Sequence, residues 1–190
     1  MRQKTINKIT TLKFKKMNFL KTTLLVLPFF VATGLSAQKI TQSSSTVKVT
    51  GTSPAHDWEM NGTGVVFSGT VSGDAITGVS ISFPAKNLKS AKGKMMDNKA
   101  HDALKADKSP NITFAANSIA IGKSNVAGKL TIAGKTNTIT LPVTVTKKGD
   151  AYVIEGVESL KLSDYGMERP GMIGMKTGDV VTVKMNVVAK

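Results

Sequence analysis

From residue 139 to 146 the chain reads Ile139-Thr140-Leu141-Pro142-Val143-Thr144-Val145-Thr146, apolar at every odd position. Alternation with period two puts apolar side chains on one face of an extended strand and polar ones on the other. The same rule recurs in Val79-Ser80-Ile81-Ser82-Phe83, Ile112-Thr113-Phe114, Leu130-Thr131-Ile132 and Val181-Thr182-Val183-Lys184-Met185-Asn186-Val187. Val47/Val49, Val65/Phe67, Ile119/Ile121, Tyr152/Ile154 and Leu160/Leu162 extend it. Between these runs lie Ser72-Gly73-Asp74, Gly122-Lys123-Ser124-Asn125, Ala133-Gly134-Lys135 and Lys147-Lys148-Gly149-Asp150, whose Gly, Asn and Asp accept the positive φ of tight hairpins. The pattern predicts an all-β, up-and-down antiparallel meander of about eight strands. Each strand has a single apolar face, so the sheet must either pack as a sandwich or close on itself. Short consecutive hairpins favour a closed barrel, which leaves no exposed edge. Pro142 has no N–H for a ladder and is expected at an edge, bulge or seam.

One segment departs from this period. From Ala91 to Ala106, Met96, Ala100, Ala103 and Leu104 fall on one helical stripe, which predicts a short amphipathic helix capped by Ser90 and stopped by Ser109-Pro110.

Eight strands enclose space enough for side chains or for one slender ligand. The inward candidates for ligand contact are Val65, Phe67, Ile81, Phe83, Ile112, Phe114, Leu130, Ile132, Leu141, Val143, Ile154, Leu162, Val183 and Met185. Met172 and Met175 join them from a Gly-flanked, Met-rich loop that reads equally as a lipid portal or as a plug. Periodicity leaves open whether the inward side chains fill the barrel or surround a guest.

The N-terminus bears on location. Seven basic residues and no acid occur before residue 24, an apolar run spans Leu24 to Ala32, and small residues lead to Ala37. This is the layout of a secretory signal peptide, and its apolar core is far short of the roughly 20 residues of a membrane-spanning helix. Cleavage is expected after Ala37, with translation starting at Met1 or Met17, leaving residues 38–190 as one domain in the periplasm or outside the cell. Seven of the 26 Lys and Arg and none of the 12 acids precede residue 38, so the net charge falls from +14 to +7. Arg169 is then the only Arg, which weakens a nucleic-acid reading, because bidentate phosphate and base contacts are made chiefly by Arg. With no Cys, thiol chemistry and Cys-held metals are excluded.

His56-Asp57-Trp58-Glu59 gathers four functional side chains. His56 and Trp58 suit first a strand-end cap with Trp58 closing the barrel, and second a rim where a ligand headgroup rests. No metal is expected, since the only other His is His101 on the helix. No Ser-His-Asp spacing or acid–base pair points to catalysis, so the chain reads as a binding protein with no catalytic residues and no cofactor beyond a bound lipid. An enzyme acting on an apolar ligand is the alternative. An outer-membrane barrel is a weaker one, because six aromatics after residue 37 are too few for two girdles. Lys86, Lys89, Lys92, Lys94, Lys99, Lys105 and Lys108 outnumber Asp97, Asp102 and Asp107 around the helix, which allows transient contact with an anionic membrane surface.

The order of segments resembles the YceI-like family of secreted lipocalin-like proteins. Val47-Lys48-Val49-Thr50-Gly51-Thr52-Ser53 with His56-Asp57-Trp58-Glu59 carries the resemblance, as do Met95-Met96-Asp97 and Ala103-Leu104-Lys105 leading into Ser109-Pro110-Asn111-Ile112-Thr113-Phe114. Gly128-Lys129-Leu130-Thr131-Ile132-Ala133-Gly134-Lys135-Thr136, Ser163-Asp164-Tyr165-Gly166-Met167 and Gly178-Asp179-Val180-Val181 follow in order. The resemblance implies an eight-stranded barrel with an apolar channel for a polyisoprenoid or quinone tail. Ala133 and the Met-rich 171–176 loop depart from the family's usual residues.

Overall fold

A computed structural model describes residues 37–172 and 174–190. The expected signal peptide lies outside the described residues except for Ala37, as do Ile173 and the side chain of Met172. The strands are β1 (Gln38–Gly51), β2 (Trp58–Gly62), β3 (Val66–Ser72), β4 (Ala75–Pro84), β5 (Lys89–Ser90), β6 (Asn111–Ala120), β7 (Gly122–Ile132), β8 (Lys135–Lys148), β9 (Ala151–Lys161), β10 (Gly171–Met172), β11 (Met175–Lys176) and β12 (Val180–Ala189). One helix, α1, spans Lys94–Ala103.

The ring runs β1, β3, β4, β6, β7, β8, β9 and β12 in sequence order, each paired with the next, and β12 returns to pair with β1, so the ring closes. β1 is the strand that closes it. On one side it meets β12, with Val47 opposite Met185 and Gly51 opposite Val181. On the other its first residues meet β3 and its last meet β2, so β2 and β3 together occupy one strand position. The result is the expected eight-stranded, up-and-down antiparallel barrel. At the break between β2 and β3, Val65 N–H donates to Ser45 Oγ (2.9 Å) and Phe67 N–H to Gln42 Oε1 (2.9 Å). Side chains of β1 thereby satisfy amides that the interrupted ladder leaves free.

The two ends of the barrel differ. Near the hairpins after β3, β6 and β8 the interior is filled: Ile40, Ile76, Ile119, Val145, Ile154 and Val187 are at most 2% exposed. Val145 pairs with Ile154, Ile154 with Val187, and Ile76 with Ile119, so this plug spans the ring. Each such side chain contributes about 1.5–3 kcal/mol on burial. Toward the opposite end, Val49, Ile112, Leu130, Ile139, Leu141, Leu160, Val183 and Met185 pack against the core but are only partly buried.

The helix is shorter than the stripe predicts, and its cap differs. Gly93, at φ 90°, is the N-cap, with no side-chain cap bond. Ser90 instead donates its backbone N–H to the buried Asp97 carboxylate (2.7 Å), which anchors the helix to β5 from inside the first turn. The helix ends before Ser109-Pro110, because Lys105 turns to φ 52°.

Pro142 sits at a seam. The β8–β9 ladder runs from the Lys148–Ala151 end as far as Val143 opposite Gly156 and stops there, while β8 stays paired with β7 on its other side. Leu141 lies over Gly156, and Asn137 Nδ2 donates to the Asp164 carbonyl (3.0 Å) across the opened part. The β7–β8 hairpin turns on Ala133 (φ 50°) and Gly134 (φ 83°), two consecutive positive-φ residues as in a type I′ turn.

Candidate ligand site at the barrel mouth

At the open end three segments converge: the β1–β2 connection, the N-terminal half of α1, and the β10–β11 hairpin with its flanks. Backbone and side-chain bonds hold them together. Gly178 N–H donates to the Thr52 carbonyl (2.8 Å) and Thr177 N–H to the Pro170 carbonyl (2.8 Å). Lys99 Nζ donates to the Gly171 carbonyl (2.9 Å) and Lys105 Nζ to the Gly166 carbonyl (3.2 Å), so the helix is tied to the 166–171 chain by its lysines. Between these segments lies a cavity of about 800 Å³. That size falls within the roughly 300–1,000 Å³ of small-molecule sites.

Its apolar lining includes Trp58, Met60, Met96, Ala100, Met175 and Val180, and its polar lining includes His56, Asp57, Glu59, Lys92 and Lys99. Trp58 is built into the rim. Its ring covers Gly51, its ladder partner, and Nε1–H donates to the Thr52 carbonyl (3.1 Å). Half-buried and bonded at its polar edge, it closes over the strand end and forms part of the cavity wall as well. His56 is exposed, on a turn closed by Ser53 Oγ–H donating to the His56 carbonyl (2.6 Å). Glu59 is held below the ordinary carboxylate range, first by its bond to Lys48 (2.7 Å) and then by the Asn61 amide. It stays ionised at neutral pH, and its charge is already matched. His101 Nε2–H donates to the Leu88 carbonyl (2.9 Å), and among the described residues no three metal-ligating side chains come together.

The sequence candidates therefore divide into groups. His56, Trp58 and Met175 line the cavity. Ile112, Leu130, Leu141, Val183 and Met185 stand half-buried on the inner face. Val65, Phe67, Ile81, Phe83, Phe114, Ile132, Val143, Ile154 and Leu162 are in the packed interior, at most 9% exposed. Met172 lies in β10, in register with Met175.

Two polar groups were missed by the sequence reading. In β9, Ile154 and Gly156 are buried and Val157 is exposed, so Glu158 shares the inner face with Leu160, opposite Val183. Its even number, in register with Tyr152, Ile154 and Leu160 of the same strand, was the available signal. Tyr165 is 3% exposed, and its Oη has no hydrogen bond among the described residues. Burial raises its phenol above the ordinary range, so it stays a protonated donor.

Among solved structures, BcnA of Burkholderia cenocepacia is 25% identical with a TM-score of 0.64, over 77% of this chain and 96% of that one. A polyisoprenoid binding domain from Saccharophagus degradans, 12% identical, has the same TM-score over 80% of this chain and 97% of that one, a likeness of fold. No curated protein sequence gives a significant match. The YceI-like domain model matches residues 38–189, from the first residue of the strand that closes the ring to the last of its closing partner, and the chain belongs to that family.

Proposed function

We propose that this protein is a secreted or periplasmic carrier that takes a polyisoprenoid, or a quinone with such a tail, into the open half of its barrel. The observation that carries the reading is the asymmetry of the interior. A side-chain plug fills one end, and a cavity of about 800 Å³ with Trp58, Met60, Met96 and Met175 in its walls opens at the other. A long apolar ligand gains about 25 cal/mol for each Å² of apolar surface removed from water. Half-buried Leu130, Leu141, Val183 and Met185 pack against the core on the inner face without being sealed into it. The polyisoprenoid binding named for the Saccharophagus degradans domain agrees with this reading. A binding role is supported by the surroundings of the two histidines: one is exposed on a turn and the other is bonded to a backbone carbonyl. The basic, then apolar, then small-residue N-terminus supports export.

Protein purified from its native host is extracted with organic solvent, and the extract is analysed by mass spectrometry. Recovery of a stoichiometric prenyl lipid is the expected result. An empty extract, together with no binding of added long-chain quinone, overturns the proposal.

A further inference from the structure

Exposed apolar side chains gather around the mouth, Val66 and Val157 being the two that stand elsewhere on the described surface. Met95 is 61% exposed, Val180 51% and Met175 49%, three of the five large apolar residues that stand out from the described surface. Met175 and Val180 are also cavity walls, and Met95 is next to Met96, which is a third. Lysines stand among them: Lys92 and Lys99 line the cavity, and Lys94 and Lys176 are each chain neighbours of an exposed methionine. Of the acids there, Glu59 is matched by Lys48 and Asp97 by Lys89 and the Ser90 amide, while Asp57 in the lining and Asp179 beside Val180 leave the lysines in excess. The hairpin that carries Met175 is held in place through Lys99 and Thr177, so this apolar tip is presented by bonded structure.

We infer that the mouth is a docking surface for an anionic lipid bilayer, with Met95, Met175 and Val180 entering the headgroup layer while the lysines around them meet lipid phosphates. The inference rests on the carrier reading for its purpose, since docking in this orientation opens the cavity directly onto the membrane. Apolar side chains ringed by lysine fit that partner. The apolar tips gain by leaving water, each lysine near the surface raises the partition about fivefold, and methionine adapts to a disordered apolar layer. The plugged end, by contrast, turns its apolar residues inward.

The test uses residues 38–190, which contain the whole closed ring, and sedimentation with sucrose-loaded vesicles of phosphatidylcholine alone or with 30% phosphatidylglycerol. The barrel is expected to sediment with the anionic vesicles, and raising the salt toward 1 M, which shortens the Debye length to about 3 Å, releases it. Met95→Glu, Lys94→Glu and Lys176→Glu, none at a cavity-lining position, are each expected to weaken binding by about fivefold or more, with unchanged thermal unfolding. Equal binding by these variants and the parent chain, or no binding to anionic vesicles, overturns the inference, and capture by a protein in place of vesicles counts the same way. Quinone binding without vesicles is measured on the same variants. No quinone binding by the parent chain, together with an empty solvent extract, defeats the carrier reading alone, whereas intact quinone binding with no vesicle binding defeats the docking surface alone.

Discussion

Replacing Gly51 with Ala tests how the mouth is built. A Cβ at Gly51 would lie 2.3 Å from Trp58 Cζ2, 2.7 Å from Cε2 and 3.0 Å from Cη2, all in the indole and none in backbone. The ring must move off the strand, and with it goes the Nε1–H bond to the Thr52 carbonyl. Overpacking of this kind costs about 1–3 kcal/mol and a lost hydrogen bond about 1 kcal/mol. Because the ring can swing outward and relieve part of the clash, the net expected loss is about 2–3 kcal/mol. For a domain of this size that is a fall in Tm of roughly 4–12 °C. Trp58 is the only tryptophan in the chain, so its emission reports on this contact alone. Gly51→Ala should shift the emission to the red and speed ligand release, because Trp58 is a cavity wall. In a Trp58→Ala background the same substitution should cost almost nothing, a coupling close to the full single-mutant effect. Unchanged emission and Tm in Gly51→Ala, or equal costs in both backgrounds, would refute the packing argument.

Three further outcomes follow from other parts of the fold. Phe114→Asp places an unpaired charge on a side chain 5% exposed and should cost about 3–5 kcal/mol or more, while Thr131→Asp, next to Phe114's ladder partner Leu130 and bonded on the outer face to Thr136, should cost less than about 1 kcal/mol in urea unfolding. Ala133 holds φ 50°, so Ala133→Gly should relieve about 1–2 kcal/mol of backbone strain, offset by about 0.8 kcal/mol for the lost buried methyl; Ala133→Val should lower Tm, and the opposite order would remove the strain argument. Asp179 is held below the ordinary carboxylate range, first by the Ser163 hydroxyl and then by its N–H (2.6 and 2.9 Å), so its stabilisation is present above the unfolded carboxylate's pKa and is lost on acidification through the lower folded value. The stability difference between the parent chain and Ser163→Ala should therefore be full at neutral pH and disappear in acid, and a difference that grows in acid would contradict it.

Much of the architecture is legible in the chain because the information is local. The period-two runs in β4, β7, β8 and β12 and the Gly, Asn and Asp between them specify strands and hairpins without reference to anything distant. The errors fall where a tertiary contact outweighs a local signal. Ser90 looks like a cap, but its N–H is taken by Asp97, and Gly93 at φ 90° starts the helix instead. Glu158 was passed over because a carboxylate is not counted in an apolar pattern, although its position in β9 puts it on the inner face. Of the mouth, Trp58 and His56 were visible as an unusual cluster. Their companions Met96, Ala100 and Val180 come from other elements, and the chain gives no sign that they meet.

By itself the sequence determined the strands, their inward and outward faces and the hairpin order, since these follow from side-chain alternation and turn chemistry over a few residues. Closure required β1 to find β12 about 140 residues later, with Val47 set opposite Met185, a pairing no local pattern encodes. Whether an inward side chain is plug or wall was also decided only in three dimensions. Phe67 and Met185 read alike in an alternating run, yet one is fully buried and the other half-buried, because occupancy of the interior depends on the volumes of residues brought together from every strand of the ring.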